Sequence, residues 1–207
     1  MSDLDKIKKF AEKKLEKNDS AHDFEHVMRV YRNAEKICKS EKINSKLVLT
    51  SVLLHDIISF SKNDKRSKNS SLQSARLAER IISKMNFAED EIKIICDAIE
   101  QHSFSKNQKP KTLVGKILQD ADRLDAIGAV GIARVFTTGG FTKRPIYNAD
   151  DPFCSKRKPN DKSWTLDHFF KKLLVLHKGM HTKYAKKEAI KRTKILKKYL
   201  SDLRYEI

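Results

Sequence analysis

The sequence feature that most constrains the fold is an apolar stretch, residues 48–58, in which a histidine and an aspartate stand side by side. It is the most apolar part of a highly charged chain, and it predicts a core helix from about Asn44 to Ile58. A helix that crosses a bilayer needs about 20 apolar residues, so this one is too short to do so. A carboxylate among apolar side chains is costly unless it is paired or binds a metal. The partners of His55 and Asp56 therefore decide the role of this helix, since an isolated pair more often forms a buried hydrogen bond or a cap.

The length and composition predict one all-helical domain. A chain of 207 residues fits a single domain and is long enough to bury a core. Glycine and proline are scarce, and few stretches show the alternation that is typical of half-buried strands. We therefore predict an all-α protein with a single domain over residues 1–207. Its core would lie at roughly 20–135, with C-terminal helices at 163–204 packed on that core.

The charge balance is strongly basic, with a formal net charge of +17 and an isoelectric point near 9.7. A basic surface attracts polyanions, which makes nucleic acid one candidate partner. A nucleotide or another small phosphorylated substrate would use the same field, and the sequence has no zinc finger or aromatic RNA-binding motif. Lysines are spread along most predicted helices and are densest in the last one, from Thr182 to about Leu203. Ordinary solvated helix faces explain this pattern at least as well, so nucleic acid is possible but not favoured.

The cysteines and the N-terminal sequence bear on the compartment. Cys38, Cys96 and Cys154 lie far apart and form no Cys-x-x-Cys pair, which favours neither a disulfide framework nor a zinc knuckle. The N-terminal residues show no apolar run of the kind found in signal peptides. We therefore expect a reduced, cytoplasmic protein without a membrane partner.

Three further histidines lie in or beside predicted helices. His22 and His26 are four residues apart in a helix predicted from Ala21 to about Ser40, so they share a face if both are helical. His26 adjoins the apolar stripe, where a lone histidine is more often a core residue than a ligand. His102 follows a helix predicted from Glu89 to Gln101, where it would interact favourably with the helix dipole.

Three aspartates form the second unusual feature. Asp120, Asp122 and Asp125 lie in a largely apolar helix predicted from Leu113 to Gly128. Asp122 and Asp125 are three residues apart and share a face, whereas Asp120 points elsewhere. A solvated face would explain one or two of them, and three together indicate that at least one lies in a cleft.

Two polar segments are predicted to be loops. Ser61 to Asn69 is charged and lacks a hydrophobic period, so we expect it to be exposed and mobile. Thr138 to Pro145 contains two adjacent glycines followed by Lys143 and Arg144, and we expect a flexible basic loop there. Such a loop could present N–H groups and charge to a phosphate, although it matches no standard phosphate-binding fingerprint. A further helix is predicted from Leu166 to about Lys178.

The spaced histidines and aspartates resemble the motifs of the HD superfamily of metal-dependent phosphohydrolases. His26 is followed by Arg29-Val30, residues 53–57 read Leu-Leu-His-Asp-Ile, and residues 121–124 read Ala-Asp-Arg-Leu. The chain is also similar to a small bacterial and archaeal HD hydrolase group over nearly its whole length. The segments that carry this similarity are His22–His26, His102–Ser105, Asp120–Gly128, Gly139-Gly140 and Lys172–Thr182.

The resemblance implies an all-α HD-domain helical bundle with a metal site in a central cleft. It implies four metal ligands: His26, His55, Asp56 and Asp122. Two imidazoles and two carboxylates suit Mn, Ni, Fe, Zn or Mg, and the ligand types leave the choice open. If they hold one ion, positions remain for water and substrate, as a catalytic metal requires.

The catalytic acid or base is left open by the resemblance. Some HD phosphatases carry an extra acidic residue shortly after the His-Asp pair, but here the sequence continues Ile57-Ile58-Ser59. The candidates for proton transfer are instead His22, His102 and Asp125. Arg123, Lys143 and Arg144 are candidates for binding substrate phosphates, and ordinary exposed charge is the competing explanation.

The function implied is hydrolysis of nucleoside or deoxynucleoside phosphates, including release of pyrophosphate from triphosphates. A phosphodiesterase acting on cyclic or oligonucleotides would use the same metal chemistry. A non-catalytic, metal-stabilised binder of nucleotides or nucleic acid is the third hypothesis, and the basic charge supports it. The sequence leaves the oligomeric state open.

Overall fold

The computed structural model describes residues 1–16, 23–60, 64–103 and 108–207. Within these ranges the chain forms nine α-helices and short 3₁₀ helices and contains no β-strand, which confirms the all-α prediction. The chain divides into two compact units, Met1–Asp122 and Arg123–Ile207, and each is described by itself. The expectation of one domain with C-terminal helices packed on the core stays a prediction. Among the described helices, none has both the length and the apolar character that a bilayer crossing requires.

The first unit contains the helices that carry the histidine and aspartate motifs. A 3₁₀ helix at Lys65–Asn69 leads into the fourth helix. The α-helices are α1 (Asp3–Leu15), α2 (Phe24–Glu41), α3 (Lys46–Leu54), α4 (Ser70–Ile82), α5 (Glu89–Gln101) and α6 (Leu113–Asp125), the last of which continues into the second unit.

Helix α3 forms the centre of the first unit. All of its residues from Val48 to Leu54 are buried, as expected for a short helix that is apolar on every side. It packs against α1, α2 and α5. Truncating one of its fully buried leucines, such as Leu53, would cost about 2–5 kcal/mol through lost burial and a residual cavity.

The ends of α2 and α3 differ from the sequence prediction for identifiable reasons. The Asp23 side chain accepts the backbone N–H of His26 at 2.8 Å, so this N-cap begins α2 at Phe24 rather than at Ala21. Helix α3 ends at Leu54, although apolar residues continue to Ile58. The Ser74 hydroxyl bonds both the N–H and the C=O of Ile58, at 3.1 and 3.2 Å, which ties this segment to α4 instead of extending α3.

The second unit contains the remaining elements, which alternate with ordered loops. They are the end of α6, α7 (Ala129–Phe141), α8 (Asp167–Lys171), a 3₁₀ helix (Leu173–Gly179) and α9 (Lys183–Leu203). The single helix predicted from Leu166 to Lys178 is therefore wrong. The chain changes conformation at Lys172, where φ is −130° and ψ is −59°, and this residue separates α8 from the 3₁₀ helix.

The predicted glycine loop from Thr138 to Pro145 is wrong in its first half, because α7 continues through both glycines to Phe141. A Cβ atom at Gly139 would lie 2.3 Å from the Thr165 hydroxyl, so this glycine permits a close approach between two segments. The N–H groups of the two glycines lie within the helix and are not directed to a phosphate.

The expected mobile loop from Ser61 to Asn69 also differs in part. Residues 61–63 lie outside the described residues, and Lys65–Asn69 forms a 3₁₀ helix. The Asp64 carboxylate caps this helix by accepting the backbone N–H of Arg66, and it also binds the Arg66 guanidinium. A polar sequence without a hydrophobic period can therefore be held in place by its own side chains.

Candidate metal centre

His55 presents a buried nitrogen atom that has no hydrogen-bond partner. The residue caps the C-terminus of α3 and its side chain is fully buried. Its Nδ1 lies 2.7 Å from the carbonyl oxygen of Val52, which fixes the proton on Nδ1 and leaves a lone pair on Nε2. The Nε2 atom has no hydrogen-bond partner among the described residues. A buried polar atom in this state is costly, and a bound metal ion would satisfy it.

Asp56 directs its two carboxylate oxygens to different histidines. Its Oδ2 lies 3.5 Å from His55 Nε2 and 3.8 Å from His26 Nε2. Its Oδ1 lies 3.6 Å from His102 Nε2. The Asp56 side chain is 17% exposed, so the cluster is accessible from solvent on at least one side.

His26 connects this pair to helix α6. It lies in the first turn of α2, where the Asp23 cap fixes the backbone, and it is almost fully buried. Its Nε2 lies 3.6 Å from Asp122 Oδ1, and the Asp122 side chain is 26% exposed. Four side chains from α2, the end of α3 and α6 therefore meet in the first unit.

The spacing of these atoms fits a divalent cation. Ligand atoms about 2.1 Å from one ion lie about 3.0 Å apart at octahedral angles and about 3.4 Å apart at tetrahedral angles. The observed separations of 3.5–3.8 Å are about 0.1–0.4 Å longer than the tetrahedral value and about 0.5–0.8 Å longer than the octahedral value. His26, His55 and Asp56 each offer one ligand atom, and these atoms all lie within 4.8 Å of one another. Asp122 adjoins this group through His26.

The protonation states of the cluster favour metal binding. Burial lowers the pKa of His55, which keeps its imidazole neutral near pH 7. Burial raises the pKa of Asp122, but the neighbouring His26, His55 and His102 outweigh this effect and hold its pKa below the ordinary value. Metal ligands must be neutral imidazoles and ionised carboxylates, and the pKa values of His55 and Asp122 are shifted in the directions that favour these forms.

His102 lies beside the cluster in an orientation that matches His55. It caps the C-terminus of α5, and its Nδ1 lies 2.6 Å from the carbonyl oxygen of Ile99. The His55 and His102 rings are 5.0 Å apart at nearly a right angle. Burial lowers the pKa of His102, but the Asp56 carboxylate 3.6 Å away outweighs it, so the net shift is upward. A protonated His102 would donate to the carbonyl oxygen of Ile99 and direct Nε2 to the Asp56 carboxylate 3.6 Å away.

Two buried amides support the cluster, and sequence reasoning missed both. Asn33 on α2 donates from Nδ2 to the carbonyl oxygen of Ala121 at 3.2 Å, next to Asp122. Gln119 on α6 places its Nε2 3.2 Å from the carbonyl oxygens of His102 and Gln108 and 3.4 Å from that of Gln101. The signal available in the sequence was an uncharged amide within an otherwise apolar helix face.

The remaining catalytic candidates are placed differently. Asp125 is almost fully buried, and Arg134 donates to its Oδ2 at 2.6 Å within the second unit. Its carboxylate is therefore engaged in an ion pair. His22 lies outside the described residues. The roles of both in proton transfer stay predictions.

The three cations predicted to bind substrate all belong to the second unit. Arg123 donates from Nη1 to the carbonyl oxygen of Gly179 at 2.6 Å. Arg144 donates from Nε to the Thr142 hydroxyl and from Nη1 to the carbonyl oxygen of Asp161. Lys143 is exposed and adopts a left-handed backbone conformation, with φ of 53°. Both arginines thus bind backbone or hydroxyl oxygens, and substrate binding by any of the three stays a prediction.

The fold and the cluster together define an all-helical protein in which two buried histidines and the partly exposed Asp56 could hold a metal ion, with Asp122 beside His26. The model of the HD domain family matches residues 23–127, a range that contains all four predicted ligands. The chain therefore belongs to the HD domain family.

Similar proteins span nearly the whole chain. The Bacillus subtilis protein YpgQ is 31% identical over 207 residues, which is 100% of this chain and 95% of that protein. A crystal structure of B. subtilis YpgQ in complex with ADP has a TM-score of 0.75 at 29% identity and covers 99% of this chain and 97% of that one. An HD-superfamily hydrolase from Bacillus thuringiensis has a TM-score of 0.73 at 30% identity, covering 98% and 95%. A Lactobacillus plantarum protein has a TM-score of 0.79 at 29% identity, covering 98% and 95%.

Proposed function

We propose that the protein is a metal-dependent phosphohydrolase that acts on nucleotides. Its substrates would be nucleoside or deoxynucleoside phosphates, and with triphosphates it would release pyrophosphate. The observation that carries the proposal is the buried, unpartnered Nε2 of His55 beside Asp56 and His26. Membership of the HD domain family supports it, since relatives of this chain are named hydrolases.

The proposed metal ligands are His26, His55, Asp56 and Asp122. A divalent ion held by them, whether Mn, Ni, Fe, Zn or Mg, would polarise a phosphoryl oxygen and acidify a water molecule. The Val52 carbonyl orients His55, and the Asp23 cap positions the backbone of His26. The chain thereby holds the ligands in place before substrate arrives, which reduces the cost of ordering them in the reaction.

His102 is the proposed proton donor. In hydrolysis a water molecule loses a proton to solvent, its oxygen bonds to phosphorus, the bond to the leaving oxygen breaks, and that oxygen gains a proton. His102 Nε2 lies 3.6 Å from Asp56, beside the proposed metal ligands, and from this position it would deliver the proton to the leaving oxygen. His22 and Asp125 are the alternatives, and the ion pair with Arg134 makes Asp125 the less suitable of the two.

The nucleotide assignment rests on a relative and on charge. YpgQ of B. subtilis has been crystallised with ADP. The basic surface of this chain would attract such a polyanion. Arg123, Lys143 and Arg144 are the proposed phosphate contacts, and the two arginines would exchange their present oxygen partners for phosphate oxygens.

The test is a substrate panel with a matched pair of variants. The protein is stripped with a chelator, loaded with one metal at a time, and assayed by chromatography. The panel comprises ribo- and deoxyribonucleoside mono-, di- and triphosphates, a cyclic nucleotide and a dinucleotide. We expect turnover of non-cyclic nucleotides that requires metal and is abolished in Asp56→Asn. Asp97→Asn, which alters a surface aspartate paired with Lys93, should retain it. Metal-dependent cleavage of the cyclic nucleotide or dinucleotide alone would establish the phosphodiesterase instead, and no turnover of any substrate would overturn the proposal.

A further inference from the structure

One face of α9 is a dense row of exposed lysines. Burial of the opposite face fixes the rotation of the helix, because Ala185, Ala189, Thr193, Leu196 and Leu200 are all buried. Lys183, Lys186, Lys187, Lys191, Lys194 and Lys197 are exposed and fall within about 140° of one another at 100° per residue. We call this set the lysine face. From Lys183 to Lys197 it extends about 21 Å along the helix axis.

Few carboxylates neutralise the lysine face. Lys191 lies 3.7 Å from Glu188, and that carboxylate also pairs with Arg192 at 3.0 Å. Lys198 falls in the same sector but pairs with Asp202 at 2.8 Å, so it is not counted in the face. The other five lysines of the face form no ion pair within the described ranges 1–16, 23–60, 64–103 and 108–207. Like charges three and four residues apart on a helix destabilise it. The face therefore concentrates positive charge at a cost to the stability of α9.

We propose that the lysine face binds the phosphate backbone of a nucleic acid duplex. The charge is complementary, and one duplex strand presents a phosphate about every 3.4 Å along its axis, so about six phosphates match the length of the face. The side chains are all ammonium groups, which bind phosphates without reading bases. The proposed interaction is sequence-independent and lies apart from the hydrolytic function proposed above.

The composition of the face argues against two other anionic partners. Single-strand binding proteins stack several bases on aromatic side chains, whereas the lysine face has none within the row and only the half-buried Tyr184 at its edge. Insertion into a membrane interface requires an apolar face, whereas the only apolar residue within the row is Ile190, which is 51% exposed. Ile195, at the edge of the row, is a second isolated apolar side chain. Electrostatic attraction to a regular, rigid array of phosphates fits these features best.

The experiment measures binding of the full-length protein to a fluorescent 24-base-pair DNA duplex by anisotropy. A chelator is present throughout so that metal-dependent turnover plays no part. Each neutralised phosphate contributes about −0.9 to the slope of log affinity against log salt. Five contacts give a slope of about −4.5, which is about a 500-fold loss of affinity between 50 and 200 mM NaCl.

Two variants with the same loss of positive charge test whether binding depends on the lysine face or on the net charge of the protein. The face variant carries Lys→Gln at residues 183, 187, 194 and 197. The control carries Lys→Gln at residues 8, 9, 13 and 14, which are exposed lysines of α1 in the other unit. Glutamine is about as good a helix former as lysine, so both variants should fold. Circular dichroism checks this.

For the face variant we expect a slope of log affinity against log salt of only about −0.9, which is about a 3-fold loss of affinity between 50 and 200 mM NaCl. The control variant should keep the slope of the unmodified protein. An equal loss in both variants would assign binding to overall charge and overturn the proposal. So would tighter binding to a single strand of the same length, or to vesicles containing anionic lipid, than to the duplex.

Discussion

Substitution of His55 by leucine should abolish the stabilisation that metal provides while changing the metal-free stability little. Without metal, the wild-type protein keeps a buried Nε2 without a hydrogen bond, which costs about 1–3 kcal/mol. Leucine removes that cost but also removes the bond to the Val52 carbonyl, and loss of this partner costs the buried oxygen about 1–3 kcal/mol. The two costs are of similar size, so without metal the net change in the free energy of unfolding lies within about 2 kcal/mol of zero.

With metal at about 100 times its dissociation constant, the wild-type protein gains about 2.7 kcal/mol and the variant gains almost nothing. For a chain of this size this corresponds to a rise in Tm of about 5–11 °C. Differential scanning fluorimetry with a chelator, and with each candidate metal, measures both quantities. His177→Leu is the matched control, since this histidine of the second unit also has a buried nitrogen without a hydrogen-bond partner in the described structure. The His177→Leu variant should retain the full metal-induced rise in Tm. A wild-type Tm that no metal raises, or a shift that survives in His55→Leu, would refute the assignment.

Three further outcomes follow from the contacts described. Gln119→Leu should lower turnover about tenfold or more, because it releases the backbone around His102, and it should keep the metal-induced rise in Tm. Gln119→Glu should not restore turnover, because a carboxylate oxygen cannot donate the hydrogen bond that Nε2 donates. Asp167→Ala should cost about 3 kcal/mol in urea unfolding at pH 7, since the buried carboxylate binds Arg157 through two hydrogen bonds. Burial raises the pKa of Asp167, but the effect of Arg157 is larger, so the pKa is lower in the folded protein than in the unfolded chain. The stabilisation by this ion pair is therefore complete above about pH 4 and declines as the pH falls through the folded pKa. Burial raises the pKa of the Cys38 thiol to about 11, so it should react with a thiol reagent at pH 8 far more slowly in folded than in urea-unfolded protein.

The parts of the fold that depend on local pattern were predictable. The bounds of α5 match the prediction from Glu89 to Gln101, because a regular apolar stripe and acidic first turn mark that helix. The burial of α3 followed from its uniformly apolar sequence. Its end did not, because the tie between Ser74 and Ile58 joins residues 16 positions apart, which a local pattern cannot reveal.

The glycines of α7 show the same limit. Two adjacent glycines indicate a loop on local propensity, and only the contact between Gly139 and Thr165 explains why they occur in a helix. In the candidate site, the spacing of motifs suggested the ligand set through a family resemblance. It gave no means of placing His102 beside Asp56, or of finding that Asn33 and Gln119 hold the backbone near them.

The bond from His55 to the carbonyl of Val52 makes the imidazole part of the final turn of α3. Fraying of that turn, by heat or by denaturant, would carry Nε2 away from the carboxylate of Asp56. Metal binding by the cluster therefore depends on the stability of the last turn of α3. As the protein is warmed, it should release its ion together with the onset of core melting, rather than in a separate earlier step.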